Sequence, residues 1–264
     1  MPSLNVTLVS GAPGAGKTTW IRQQAEAEAG AVVYVNVGSG ETSVDSTYLA
    51  AEATKLVVLQ IGQLSDFLKD PSVQIAQKIA ECAVYIELGF HIDLYSLVLP
   101  ENIANCRRVV LLSPEAPQSE WHKWADIVVA GAETRINLSS PHFWRSPLTG
   151  QVIDFNSLDT FWYELTAGAY GTIQRAKGIF DISDGRSLYF DFAARERDIG
   201  SLELNLPRWL DGRPQRFSGI EIVGEGLDSE AIAQTLESSC LEDRAIAYYQ
   251  QKIKESLATG GNKS

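Results

Sequence analysis

The sequence predicts an α/β chain with a mostly parallel sheet, followed by a smaller α+β domain built on an antiparallel sheet. Three observations carry this. Short β-branched apolar runs alternate with helical patterns through the first half, without the period-2 alternation of half-exposed strands. The rhythm breaks near residue 137 in a Ser-, Pro- and Gly-rich stretch. Beyond it, paired strands around the turn Ser183-Asp184-Gly185 read as a hairpin.

The elements follow in order. Strands are predicted over Leu4–Val9, Ala31–Val35, Leu56–Leu59, Ala83–Ile86, Val109–Leu112 and Ile127–Val129. Helical patterns lie between them at Thr18–Ala29, Leu64–Cys82 and Gln118–Trp124. The second is interrupted at Asp70-Pro71, where Pro71 starts a fresh helix with Asp70 as its cap. This βαβ alternation predicts helices on both sheet faces and ligands at the C-terminal strand ends. In the second half, Leu158, Phe161, Trp162 and Leu165 form an i, i+3, i+4, i+7 stripe, read as core. Strands are expected over Ile173–Ile182, Ser187–Ala193, 201–206 and Gly219–Val223, then helices over Asp228–Cys240 and Leu241–Leu257. The division is a first domain over 1–140, a linker over 137–156, a second domain over 156–258 and a flexible tail over 259–264.

Composition sets outer limits. The chain has 264 residues, 45% apolar and 21% charged, with a net charge of −11. Residues 1–140 carry 9 basic and 15 acidic side chains and 141–264 carry 13 and 18, so neither half is a basic module. This argues against nucleic-acid and anionic-membrane partners. No apolar stretch approaches the length of a membrane span, and the start lacks a basic region before its apolar run. Cys82, Cys106 and Cys240 are odd in number and widely spaced, so they form neither a disulfide framework nor a C-x-x-C metal clip. Each is read as a small buried apolar residue, which suits a cytoplasmic protein.

The strongest signal is local. Between the first strand and the first helix runs Gly11, Ala12, Pro13, Gly14, Ala15, Gly16, Lys17, Thr18, Thr19. It fills every fixed place of G-x-x-x-x-G-K-[ST], the phosphate-binding loop. Glycine backbones let successive N–H groups turn inward as an anion nest, and the following helix adds its positive dipole end. Lys17 is expected on the β- and γ-phosphates and the Thr18 hydroxyl on Mg²⁺. Thr19 is a helix or α-phosphate contact.

Other candidates follow other strands. Asn36, Glu41 and Asp45 lie after the second strand, where carboxylates or an amide can hold Mg²⁺ or its water shell. Glu87 ends the Val84-Tyr85-Ile86 strand, the place of a Walker-B acid that orients Mg²⁺. His91 reads as a surface histidine. After the sixth strand, Gly131, Ala132 and Thr134 stand where GTPases carry the Asn, Lys and Asp of Asn-Lys-x-Asp. Two charge-assisted guanine contacts of ~1.5–3 kcal/mol each are therefore missing.

In motif order the chain resembles the CobW-type metallochaperone GTPases. Gly11 to Thr19 match their G-x-x-G-x-G-K-T-T. Asn36, Gly38, Glu41 and Asp45 are similar to a loosened N-E-x-G-x-x-x-x-D, and Glu87 with Gly89 to E-x-x-G. Arg175-Ala176-Lys177-Gly178 looks like their R-x-K-G strand, and 219–228 like a late V-x-I-G-x-x-L-D segment. The family's Cys-x-Cys-Cys falls near Gly62-Gln63-Leu64-Ser65, where there is no cysteine. Without thiolates, soft-metal delivery by that route has no chemical basis.

The resemblance implies binding of GTP or another NTP with Mg²⁺ and slow hydrolysis, linked to metal or cofactor homeostasis. Lys17, Glu87 and Glu41 are the catalytic candidates, and Thr18, Glu87 and Asp45 the Mg²⁺ candidates. A client metalloprotein or a second copy of the chain is the expected partner. The alternative is a non-catalytic regulatory module that keeps the fold. A small-molecule kinase is a third reading, weakened by the lack of an Arg-rich lid. Arg175 and Lys177 are read as surface ion-pair formers or as contacts to a partner or the first domain.

Overall fold

A computed structural model describes residues 3–71, 81–97, 99, 106–133, 142–194 and 200–260. The chain divides into two compact units, Met1–Ile136 and Asn137–Ser264.

In the first unit all six expected strands form: β1 (Ser3–Gly11), β2 (Ala31–Val37), β3 (Leu56–Leu59), β4 (Glu81–Leu88), β5 (Cys106–Leu112) and β6 (Ile127–Ala130). They make one parallel sheet in the order β3-β2-β4-β1-β5-β6. Each central strand feeds both faces. Val33, Val35, Val84 and Ile86 pack with Leu64, Phe67 and Leu68 of α3 (Ile61–Lys69) and with Trp124 of α4 (Glu120–Trp124). Val32, Tyr34, Tyr85 and Val109 pack instead with Ile21 and Ala25 of α1 (Lys17–Ala27) and Leu49 of α2 (Val44–Glu52). Burial on both faces removes the need for polar alternation, which is why these strands read as continuous apolar runs.

Two helices differ from the sequence reading. α3 starts at Ile61 rather than Leu64, because the Gln60 and Gln63 side chains close a reciprocal capping box. α2 occupies the second half of what reads as a polar loop. The Ser43 side chain accepts from Ser46 N at 3.0 Å and starts the helix there. Residues 72–80 of the expected helix after Pro71 lie outside the described residues, but its last two, Glu81 and Cys82, belong to β4, where Cys82 pairs with Leu4 of β1.

The second unit holds β7 (His142–Pro147), β8 (Thr172–Asp181), β9 (Ser187–Ala193), β10 (Ser201–Glu203) and β11 (Gly219–Glu225), with α5 (Phe155–Thr166), α6 (Ser229–Ser238) and α7 (Asp243–Gly260). The sheet is antiparallel in the order β10-β9-β8-β11-β7. The α5 stripe Leu158, Phe161, Trp162 and Leu165 is buried with Phe180, Phe190, Ile222 and Leu236, so it is core. Trp162 and Phe190 have ring centroids 5.0 Å apart.

Two expectations are corrected here. The stretch read as a linker contributes β7, which pairs with β11 from Pro147–Gly219 to His142–Gly224. Its Phe143 and Trp144 favour a strand, and a partly buried edge position needs no continuous apolar run. The residues read as a tail begin inside α7, which runs to Gly260.

Arg175 is ion-paired to Asp191 across β8 and β9. Lys177 adds its charge to the same carboxylate. Asp181 is buried and receives Arg216 Nε at 2.7 Å. Of the cysteines, Cys82 is buried and its thiol is pushed up to about 11 by desolvation. Cys240 is half-buried. Cys106, expected inside, is exposed at the start of β5, where the strand has not yet entered the core.

Candidate functional site

The site forms at the C-terminal ends of β1, β2 and β4, where a parallel sheet leaves its strand-end loops and helix N-termini together. Gly11, Gly14 and Gly16 have φ of 141°, 79° and 91°, so the loop adopts the left-handed turns that only glycine takes without strain. Gly16 caps α1, and Lys17 and Thr18 are its first residues. Helical geometry therefore turns Thr18 inward with Ile21 and Ala25, all three being buried.

Lys17 Nζ donates to Gly11 O at 3.2 Å and Ala12 O at 3.1 Å and stands 3.9 Å from Glu87 Oε1. Thr18 Oγ1 donates to Glu87 Oε2 at 3.3 Å. The loop lysine, the helix hydroxyl and the strand-end acid thus meet from positions separated by up to 70 residues of chain.

Glu87 sits at 4% exposure. It lies one strand away from Asn36, which it faces in register between β4 and β2. A buried carboxylate needs donors. One comes from a residue the sequence reading did not single out: Tyr34 OH donates to Glu87 Oε2 at 2.9 Å, and Asn36 Nδ2 donates to Tyr34 OH at 3.2 Å. Desolvation pushes the Tyr34 phenol well above its ordinary value, and the charges of Glu87 and Asp45 push it further. The phenol is therefore a fixed donor at neutral pH. Tyr34 is hidden in the run Ala31-Val32-Val33-Tyr34-Val35, and its only sequence signal is a hydroxyl among aliphatic neighbours.

The other expected residues divide. Asp45 is buried in the first turn of α2, near enough to Tyr34 for its charge to act there. Glu41 is exposed, and its carboxylate lies 3.6 Å from where a Cβ on Gly62 would stand, at the start of α3. The structure does not join it to Lys17, Thr18 and Glu87, because Gly38 and Gly40, with φ of 111° and 79°, turn the loop toward α3 instead. Pro13 and Ala15 hold the loop's crest, and Thr19 follows Thr18 in α1. His91 Nε2 is 3.0 Å from Gly38 O, linking the loops after β4 and β2.

The loop after β6 lies against the phosphate loop. Ala132 N donates to Ala15 O at 3.2 Å and Gly131 N to Leu112 O at 2.8 Å. A Cβ at Gly131 would stand 2.8 Å from Ala15 O. Thr134 lies outside the described residues.

The groups here able to ligate a cation are oxygens: the Glu87 carboxylate and the Thr18 hydroxyl that meets it, with Asn36 opposite Glu87 in register. Asn36 Oδ1 is buried and has no hydrogen-bond partner among the described residues. Hard oxygen donors and an unsatisfied acceptor fit a small divalent cation with bound waters, such as Mg²⁺. Among the described residues there is no cluster of three or more His, Cys, Asp or Glu side chains placed to hold a metal by themselves. No helix of the described residues is long and apolar enough to cross a membrane.

Residues 5–95 match the family described as CobW/HypB/UreG, nucleotide-binding domain. That segment contains β1, the phosphate loop, β2, Asp45, Glu87 and His91, so the match spans the strand ends that build the site. No curated protein matches the chain. Among solved structures the chain aligns with the Zn(II)-bound YjiA GTPase from E. coli, at 14% identity over 90% of this chain and 99% of that one, with a TM-score of 0.31. It also aligns with a Zn(II)-bound triple mutant of the YjiA GTPase, at 15% identity over the same shares, with a TM-score of 0.33. Likenesses of that degree carry no argument for this chain's activity.

Proposed function

We propose that the first unit binds GTP or another nucleoside triphosphate together with Mg²⁺ and hydrolyses it slowly. The observation that carries this reading is the meeting of Lys17, Thr18 and Glu87 beside a loop whose glycines take positive φ angles. Loop amides and the N-terminus of α1 surround the β- and γ-phosphates, and Lys17 leaves its two carbonyl partners to neutralise them. Thr18 and Glu87 are the residues that hold Mg²⁺, which when bound offsets charge on the phosphates. Asp45, buried near Tyr34, supports the water shell. It replaces Glu41, which is exposed at α3, as the carboxylate on the attacking-water side. Catalysis of this kind is positioning and charge stabilisation.

The second unit, Asn137–Ser264, within which the sequence reading set bounds of 156–258, is proposed to be a CobW C-terminal-like domain serving metal or cofactor homeostasis in the cytoplasm. Its partner would be a client metalloprotein or a second copy of the chain.

The test is calorimetric titration of the full chain with GTP, ATP and their diphosphates, with Mg²⁺ or with EDTA, beside a Lys17→Ala variant. Losing a charge-assisted phosphate contact should weaken triphosphate binding by about 10- to 100-fold. Binding and turnover by Lys17→Ala equal to wild type would refute the proposal. A second reading, a binding module without turnover, is favoured by Gly131 and Ala132 in the guanine-motif places. Sustained Mg²⁺-dependent turnover above the Lys17→Ala control excludes it.

A further inference from the structure

We infer that Tyr34 is a positioning residue for Glu87, fixing the carboxylate that the nucleotide-bound cation requires. This rests on the nucleotide reading above and deepens it.

Three observations converge. Tyr34 is wholly buried on the sheet face that carries Ile21 and Ala25 of α1, so its ring is held by packing. Its hydroxyl and that of Thr18 both donate to the same carboxylate oxygen, Oε2, while Lys17 lies nearest Oε1. Finally, the direction of the hydrogen bonds is forced. A carboxylate only accepts, so the phenol must donate to Glu87, and its oxygen is then free to accept from Asn36 Nδ2. This fixes the Asn36 amide as well and leaves Asn36 Oδ1, at 7% residue exposure, as the acceptor without a partner among the described residues.

The consequence is a short rigid chain, Asn36 to Tyr34 to Glu87, spanning β2 and β4. Glutamate has three rotatable bonds, and the Thr18 hydroxyl and the Lys17 ammonium that meet its carboxylate both belong to the phosphate loop's helix. A buried phenol with two torsions supplies a second anchor that does not depend on the nucleotide loop. Asn36 Oδ1 is then turned to receive a donor, such as a cation-bound water, on the same face. A phenylalanine would fill the same buried space without the hydroxyl. The hydroxyl therefore has its consequence at Glu87 rather than in packing.

The experiment compares wild type with Tyr34→Phe, which keeps the ring and removes the hydroxyl. Binding of non-hydrolysable GTP and ATP analogues is measured in EDTA and then across a Mg²⁺ titration, with turnover beside it. Affinity in EDTA should stay within about twofold, while half-saturating Mg²⁺ rises about tenfold and kcat falls with KM little changed. An unchanged Mg²⁺ requirement in a folded Tyr34→Phe overturns the inference and leaves the nucleotide reading standing. Wild type that binds no nucleotide overturns both. If Tyr34→Phe shows no cooperative melt, Asn36→Leu takes its place. It frees the phenol and should raise half-saturating Mg²⁺ in the same direction by about threefold. An unshifted value there overturns the inference as well.

Discussion

Replacing Gly131 by alanine tests how closely the loop after β6 is built onto the phosphate loop. An added Cβ would stand 2.8 Å from Ala15 O, 3.2 Å from Leu112 N and 3.3 Å from Leu111 C. All three are backbone atoms, so no side chain can swing aside. Ordinary contact begins near 3.4 Å, so the two loops must part by about 0.6 Å or the strand end must distort. The Gly131 N–Leu112 O bond of 2.8 Å holds one side of the methyl in place. The strain therefore falls on the 3.2 Å Ala132 N–Ala15 O bond. Overpacking of this kind costs about 1–3 kcal/mol, and loss of the hydrogen bond adds about 1 kcal/mol. The expected destabilisation of the first unit is thus roughly 2–4 kcal/mol. For a unit of this size that lowers its melting point by about 6–15 °C. Because Ala15 belongs to the phosphate loop, triphosphate affinity should fall about tenfold. The assay is thermal unfolding with the two units' transitions resolved, since a two-unit chain is not two-state as a whole, together with nucleotide titration. A Gly131→Ala protein that melts within 2 °C of wild type and binds triphosphate as tightly would refute the steric argument. The same contact means that restoring the guanine motif's asparagine at this position requires the phosphate loop to move.

Three further outcomes follow from other parts of the chain. Burial alone would raise the Asp191 pKa, but the Arg175 hydrogen bond and charge outweigh it and hold the carboxyl below its ordinary value. A depressed folded pKa stabilises the native state above about pH 4 and loses that stability as pH falls through the folded value. Asp191→Asn should therefore cost about 1–3 kcal/mol at pH 7 and flatten the second unit's decline below pH 4, read by urea denaturation at both pH values. The Tyr34 phenol is raised by burial, so its contribution is complete below pH 10 and lost above it. Burial also pushes the Tyr85 phenol up, to about 12, so ultraviolet titration should show late tyrosine ionisation as the first unit unfolds at alkaline pH, and Tyr34→Phe should shrink that step. Phe161→Ala, opening the wholly buried centre of the second unit's core, should cost about 3–5 kcal/mol in denaturant unfolding while leaving nucleotide binding intact.

Much of the fold was legible because its determinants are local. Doubly buried strands must be apolar throughout, and the central strands of the first sheet were legible for that reason, while the edge strands β3 and β6 are apolar runs left partly exposed. The glycine spacing of 11–16 dictates a left-handed, inward-turned loop, and Thr18 on the inner side of α1 follows from helical periodicity. Other features had weaker local signals. Ser43 starts α2 with a single side-chain cap inside a polar run, which also suits a loop. β7 is half-exposed and becomes a strand through pairing with β11, more than 70 residues away. Glu41 reads as a partner of the phosphate loop by sequence distance, but the turns at Gly38 and Gly40 carry it to α3.

The sequence by itself determined the anion-binding loop, the acid at the end of β4 and the division into two kinds of sheet, since each rests on residue types at short range. Only the tertiary structure decided that β2 lies beside β4. That adjacency is a matter of strand order, which no local pattern encodes. It brings the Tyr34 hydroxyl onto Glu87 across 53 residues of chain and turns one polar atom in an apolar strand into part of the site. A buried carboxylate must find donors, and here the neighbouring strand supplies one.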